Sequence, residues 1–544
     1  MTIMDKIQRS GGGAGSGGCG CSGSGSGGNV SRFHQASWNE PVIFELDNPG
    51  YRGIEVADPD PEIEKAVGKA SALIPAGLAR KKGPALPRIS QARVLRHYLR
   101  ISQETLGADL NAEIGQGTCT MKYSPTVNER IAATSKLLEL HPLQREDSVQ
   151  GILEIMYRTQ RILCGVSGMD EACLQPQSGS QALLAMASMI RARQDLLGHP
   201  EKDELITTVF SHPSAAASAI VKGFKVKTVR PLDSGYPDYS HLQALVGPRT
   251  AGFIAANPED TGLYNGDIRR FTDLIHQNGG FCGYDQANAN GLFGVVRARE
   301  SGFDMCFFNL HKSFSTPHGC GGPGTGAVAC TGEMAPFLPL PRVTLRGDGK
   351  YALSYEDDGG ASIGKVRMFH GVAPVAVKAY SWVMSLGAEG LREVAMIATL
   401  NNNYLFKRVL DIPGFSAPFP ECEQRVEQAR YSLEGLFDET GVTSEDVGLR
   451  MADFGFHYWT SHHPFIVPQP MTLEPTESAS KEDLDEYADT LAHIAQEARS
   501  DPKTVKSAPH NSTVHRNVES PLDDPEQWCI TWRMYCNRAK SAGG

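Results

Sequence analysis

Short apolar runs alternate with amphipathic stretches through the middle of the chain, from about residue 169 to 330. Runs at 205–210, 226–229, 252–256, 281–284, 305–310 and 327–330 are bounded by Gly, Pro, Asn or Asp and predict strands. Between them, Ile268, Phe271, Leu274 and Ile275 share one face of the stretch 266–278. Gly279 supplies the stop, so this stretch predicts a helix. Alternation of this kind predicts an α/β body, a mostly parallel sheet sandwiched by helices. Ligands of such sheets bind outside the carboxyl ends of the strands, which makes the residues just after each strand the candidates for chemistry.

Either side of this body the pattern changes. Residues 42–87 are irregular and rich in Pro and acidic residues, as an arm laid over something larger would be. A helical pattern follows over 90–112, carried by Val94, Leu95, Tyr98, Leu99 and Ile101. After Gly371 the predicted helices lengthen, at 374–386 and 391–410. A last helix starts at Ser480, where Asp483 completes a capping box and Leu484, Tyr487, Leu491 and Ile494 form the buried face. The expected division is a tail at 1–41, an arm and helix at 42–125, a large domain at 126–371 and a smaller C-terminal α+β domain at 372–544.

Composition narrows the function classes. The 544 residues are 40% hydrophobic and 21% charged, as in globular proteins with large cores. Residues 11–28 are almost all Gly, Ser, Ala and Cys and are expected to be disordered, because they have too little apolar surface to offset their conformational entropy. Cys19 and Cys21 in that tract form half of a metal site at most, since no nearby Cys or His completes it. Cys164, Cys282, Cys306 and Cys330 fall in predicted core elements, the usual place for reduced thiols. The formal charge of -10 and the lack of any basic stripe argue against nucleic acid as a partner. No stretch reaches the roughly 18 apolar residues of a spanning helix, and 1–10 holds no apolar signal core. The expectation is therefore no membrane and a cytoplasmic location.

The segment 283–326 carries the most chemistry. One strand ends in Asp285 and the next in Asn309-Leu310-His311-Lys312, so a carboxylate and an amine reach the same rim. Pyridoxal phosphate chemistry requires this pair: a lysine that loses its proton to form an imine, and a carboxylate that keeps the pyridine nitrogen protonated. Spacing alone leaves open a surface lysine beside an unrelated aspartate. Ser313 or Thr316 is expected to offer a hydroxyl to the cofactor. Ser178, Gly179, Ser180 and Gln181 open a predicted helix, where they hold either a phosphate or only the helix cap. Asn257-Pro258 follows a strand and either reaches the cofactor or makes a turn. The glycines at 319–324 match a dinucleotide pattern but precede a strand, so they predict a flexible loop near the cofactor. His311, His318 and His370 lack the acidic or Cys partner that a metal site needs, so no metal is expected.

The run NLHKSFSTPHGCGGPGTG around Lys312 resembles the lysine motif of the glycine decarboxylase P-protein. TCTMKYSP at 118–125 and HPLQREDSVQGILEIMYR at 141–158 are similar to other motifs of that family. So are YDQAN around Asp285, SIGKVRMFHG at 362–371, SLGAEGLREV at 385–394 and FIVPQPMTLEPTESASKEDLD at 465–485. The resemblance spans roughly 42–538 and favours the second subunit of the two-subunit form. It implies a type I pyridoxal-phosphate fold, a cofactor held on Lys312, Asp285 at the pyridine nitrogen, and His212 against the ring. It further implies glycine as the small amino-acid substrate, release of CO2, and transfer of the aminomethyl group to a lipoyl H-protein. The implied partner is the first P-protein subunit or a second copy of the chain.

Departures cluster at the rim. Where the family has Gly-Ala-His/Gln-Gly-Glu, this chain has Gly179-Ser180-Gln181-Ala182-Leu183, so an acidic residue becomes apolar. Ser211-His212-Pro213-Ser214-Ala215-Ala216-Ala217-Ser218 lacks the family's Thr-Asn pair. Gly115-Gln116-Gly117-Thr118 replaces the usual Pro-Leu-Gly-Ser. The segment 420–436 does not reproduce the motif Arg-Pro-Cys-Met-His-Glu-Phe. These changes keep two alternatives in view: a decarboxylase or carbon–carbon lyase for a different amino acid, and a scaffold subunit without catalysis.

Overall fold

In the computed structural model the described residues are 30, 33–51, 57–107, 112–115, 120–319, 322–355, 360–420, 424–458, 466–513, 516, 528–529 and 531–542. The glycine-rich tract with Cys19 and Cys21, and residues 116–119, lie outside them. Eleven strands are found among the described residues: β1 (Glu171–Cys173), β2 (Glu204–Thr208), β3 (Lys225–Val229), β4 (Thr250–Ala256), β5 (Phe281–Gln286), β6 (Met305–Asn309), β7 (Gly326–Cys330), β8 (Arg342–Leu345), β9 (Tyr351–Ser354), β10 (Ala429–Ser432) and β11 (Pro470–Leu473). The first seven form one sheet in the order β1-β7-β6-β5-β4-β2-β3. β3, β2, β4, β5 and β6 run parallel, as expected. β7 is antiparallel to both β6 and β1, a reversal that the sequence pattern did not reveal.

Apart from the edge strand β3, the sheet is buried on both faces because its strand residues alternate between two cores. Ile206, Phe253, Tyr284, Cys306 and Phe308 face one core, with the helices Gln150–Ser167, Ile268–Gln277 and the first half of Ala373–Leu410. Leu205, Ile254, Phe281, Met305 and Phe307 face the other, with Gly179–Leu196 and Pro213–Val221. Both sides being apolar explains why the strands read as continuous apolar runs. Cys164, Cys282, Cys306 and Cys330 are all buried and free.

The helix Ala373–Leu410 breaks at Gly387, whose φ is 68°. The two helices predicted at 374–386 and 391–410 meet there, and glycine alone adopts that backbone without strain. The helix runs out of the first core and into a third one, where Leu405, Phe406 and Val409 join the β10–β11 ladder and the helix Lys481–Ser500. The capping box at Ser480 and Asp483 forms, and Leu484, Tyr487, Leu491 and Ile494 are buried. That helix is not the last: Pro502–Lys506 and Trp532–Ala542 follow it. No helix among the described residues is long and apolar enough to cross a membrane.

The N-terminal arm is tied down by charge. Glu40 accepts from Arg100 Nη1 at 2.5 Å and meets Arg93 at 3.2 Å and His97 Nδ1 at 2.9 Å, all on the helix Gln91–Gln103. The hydrogen bond from Arg100 is the first cause, and His97 the next, that holds the Glu40 carboxyl down at about 2. An unfolded glutamate titrates near 4.3. The native value is therefore depressed, so the contribution is complete above about pH 4.3 and is lost as pH falls toward 2. Hydrogen exchange of residues 33–51, taken relative to the intrinsic rate at each pH, is expected to accelerate across that window in the wild type. In Glu40→Gln it should already be fast at neutral pH, and a profile shared by both proteins would contradict this anchoring.

Candidate active site

The parallel strands end along one rim, and the segments that follow them enclose a cavity of about 190 Å³. One water needs only about 10–15 Å³, so the space is that of a ligand. Asp285 stands beside Phe307 in the β5–β6 register, and Lys312 follows β6 in the one-turn helix Leu310–Ser313. Both line the cavity, and Lys312 is only 7% exposed. Burial pushes the Asp285 carboxyl above its ordinary value, while the Ala287 N–H, donated at 3.0 Å, and the Lys312 ammonium pull it back.

Asn309 and His311 lie on the same wall. The Asn309 Oδ1 is buried without a hydrogen-bond partner. Burial first, then Lys312 and His318, holds the His311 imidazole down at about 3, so it is neutral. Its Nδ1 accepts from the Thr325 N–H at 3.2 Å, which leaves the proton on Nε2. A Cβ at Gly324 would sit 2.9 Å from that Nδ1, so part of the glycine run exists to let the chain pack on His311. Cys320 and Gly321 lie outside the described residues.

The helix Gly179–Leu196 points its N-terminus at the cavity, which Gly179, Ser180 and Leu183 line. A Cβ at Gly179 would lie 2.9 Å from Asn309 Nδ2 and 3.2 Å from the Phe307 ring. Glycine thus lets the first turn of the helix lie close to the end of β6. A Cβ at Gly326 would meet the Ser178 carbonyl oxygen at 2.4 Å, which fixes β7 against the same turn. His212 lines the cavity from the β2 side and caps the helix Pro213–Val221, its Nδ1 accepting the Ser214 N–H at 3.1 Å.

Five of the sequence candidates, Ser178, Gln181, Asn257, Ser313 and Thr316, are not on the cavity wall. Ser178 Oγ accepts the Gln181 N–H at 3.1 Å, which is helix capping. The Gln181 amide joins Gln177 N and Val366 O, each at 2.8 Å. Asn257 is locked to the Asn265 backbone at 2.8 and 3.1 Å, a turn contact. Ser313 and Thr316 are committed in the same way: Ser313 Oγ accepts the Ala289 N–H at 2.7 Å, and Thr316 Oγ1 donates to Leu310 O at 2.8 Å.

Sequence reasoning missed one wall. Glu427 and Gln428, in the segment leading into β10, line the cavity, and so does Asp260 after β4. Asp260 pairs with the buried Arg430 at 2.5 Å. Nothing in the local pattern separates these residues from surface polar ones. Their one trace is the failure of 420–436 to match the family motif. The residues present fit pyridoxal phosphate: a buried amine, a carboxylate on the neighbouring strand, a helix N-terminus for a phosphate and an unsatisfied amide oxygen line one cavity.

Comparison with known proteins agrees with this architecture. Residues 394–517 match the family model "Glycine dehydrogenase, C-terminal domain". The probable glycine dehydrogenase (decarboxylating) subunit 2 of Pyrococcus furiosus is 39% identical over 92% of this chain and 98% of its own length. The protein of the same name from Sulfurisphaera tokodaii is 38% identical over 92% and 97%. Among solved structures, a glycine decarboxylase (P-protein) of the glycine cleavage system in inhibitor-bound form superposes with a TM-score of 0.67 at 20% identity. It covers 81% of this chain and 100% of that one. Lactobacillus brevis glutamate decarboxylase gives 0.60 at 15% identity, over 79% and 97%, and shares the fold.

Proposed function

Because the chain belongs to the glycine dehydrogenase (decarboxylating) subunit 2 family, we propose that it decarboxylates glycine with pyridoxal phosphate and passes the aminomethyl group to a lipoyl carrier, the H-protein. The observation that carries this reading is that Lys312 and Asp285 open onto one cavity. When bound, the cofactor supplies an electron sink for the bond to the departing carboxylate. Lys312 Nζ would hold it, Asp285 would serve its ring nitrogen, and the first turn of Gly179–Leu196 with Ser180 would receive its phosphate. Asp285 would present its carboxylate to the ring nitrogen, and Lys312 Nζ would take up and return a proton. Leu183, Phe210 and Phe307 supply an apolar part of a wall that is otherwise largely polar. The partner expected to complete the enzyme is the first P-protein subunit.

The test combines the loaded chain with that subunit and the lipoyl carrier and follows labelled bicarbonate into glycine. Exchange supports the reading, and its absence removes glycine cleavage. A second reading, decarboxylation or carbon–carbon cleavage of another amino acid, is favoured by Leu183, which stands in the wall where the family carries an acid. It predicts that some amino acid other than glycine changes the cofactor spectrum more strongly.

A further inference from the structure

The cavity wall contains no arginine among the described residues, and Lys312 is its one fixed cation. A cofactor bonded to Lys312 would occupy that amine, and an amino-acid substrate would still bring a carboxylate that needs a donor. Glu427 is in the wall and is 2% exposed. Its Oε2 accepts the Gly291 N–H at 3.2 Å. Glu474, just after β11 and fully buried, is a like charge that acts on it; it accepts from Asn288 and, at 2.9 Å, from Asn290. The buried cation of this cluster, Lys122, is turned elsewhere, to Glu477 at 2.7 Å and Asn290 at 3.2 Å. The groups acting on Glu427 are Glu474, the backbone N–H groups of Gly291 and of Glu427 itself, and Lys312, with the Tyr284 phenol nearby. Repulsion from a second buried carboxylate disfavours ionisation of the first. Burial, and then Glu474, pushes the Glu427 carboxyl well above its ordinary value.

We propose that Glu427 is a neutral carboxylic acid whose Oε1–H donates to the substrate's carboxylate. The inference rests on the amino-acid decarboxylase reading and names the group that recognises the part that leaves. Oε1 carries the proton because Oε2 is taken by an N–H donor. A neutral donor holds the carboxylate without the strong pairing that a guanidinium would have to release as the charge departs into the ring system.

Two readouts test it on the full chain. The infrared difference spectrum of wild type minus Glu427→Gln, taken without substrate, is expected to show the carbonyl stretch of a neutral carboxylic acid at neutral pH. In the loaded protein, cofactor absorbance reports the binding of glycine and of methylamine, which is glycine without its carboxylate. Glu427→Ala should weaken glycine about tenfold to a hundredfold and leave methylamine unmoved. Glu427→Gln, which still donates, should bind glycine nearly as wild type but lose the decline in affinity that deprotonation of Glu427 causes at high pH. A carboxylate band in place of the acid band, equal losses for glycine and methylamine, or a Gln variant as weak as Ala would each overturn the proposal. Should glycine give no spectral change in loaded wild type, the glycine reading fails. The Glu427 proposal is then decided by the infrared band and by the same comparison with the responding amino acid and its amine.

Discussion

Lys312→Ala is expected to lower turnover by at least about a thousandfold and to abolish the visible absorbance of the loaded protein. The size follows from position. Lys312 is the single primary amine in the cavity wall, held in a one-turn helix whose backbone is fixed by the Leu310 N–H to Thr325 O bond at 2.9 Å. No neighbour can take its place, because the other buried lysine of the region, Lys122, is bound to Glu477 and lies over the Trp382 ring at 4.4 Å. The checks are an absorbance spectrum, CO2 release, and a circular dichroism melt to show that the fold survives. Turnover within tenfold of wild type would mean that the amine serves only structure.

Asp285→Asn should cost about a hundredfold to a thousandfold in turnover while leaving the fold in place. Asparagine keeps the volume and the bond from the Ala287 N–H, so the β5–β6 register, with Asp285 beside Phe307, is undisturbed. What is removed is the negative charge that sustains a protonated ring nitrogen. The measurement is kcat by CO2 release beside cofactor affinity by equilibrium dialysis. A drop in affinity without a drop in kcat would assign Asp285 to holding the cofactor alone.

The sequence made the parallel strands and the pair at their ends legible because the physics there is local. A strand buried on both faces must be apolar throughout, so 252–256 and 281–284 announce themselves, and the residues following them inherit the rim. The reversal of β7 was not legible, since a five-residue apolar strand pairs equally well in either direction and β1 has only three residues. Ser178 and Asn257 show a second limit. A hydroxyl or amide beside a site is equally suited to its own backbone, and in both cases the nearest N–H won. The third limit is distance along the chain. Glu427 meets Gly291 across more than a hundred residues, and a Glu-Gln pair before a strand carries the signature of an exposed turn until the fold buries it.

The central claim is that one amine and one acid serve the same bound pyridoxal phosphate. Borohydride reduction of the loaded protein followed by peptide mass mapping tests it most directly. A single cofactor adduct on Lys312, formed in the wild type and weakened in Asp285→Asn, is the predicted result. An adduct on any other lysine, or none, would contradict the account.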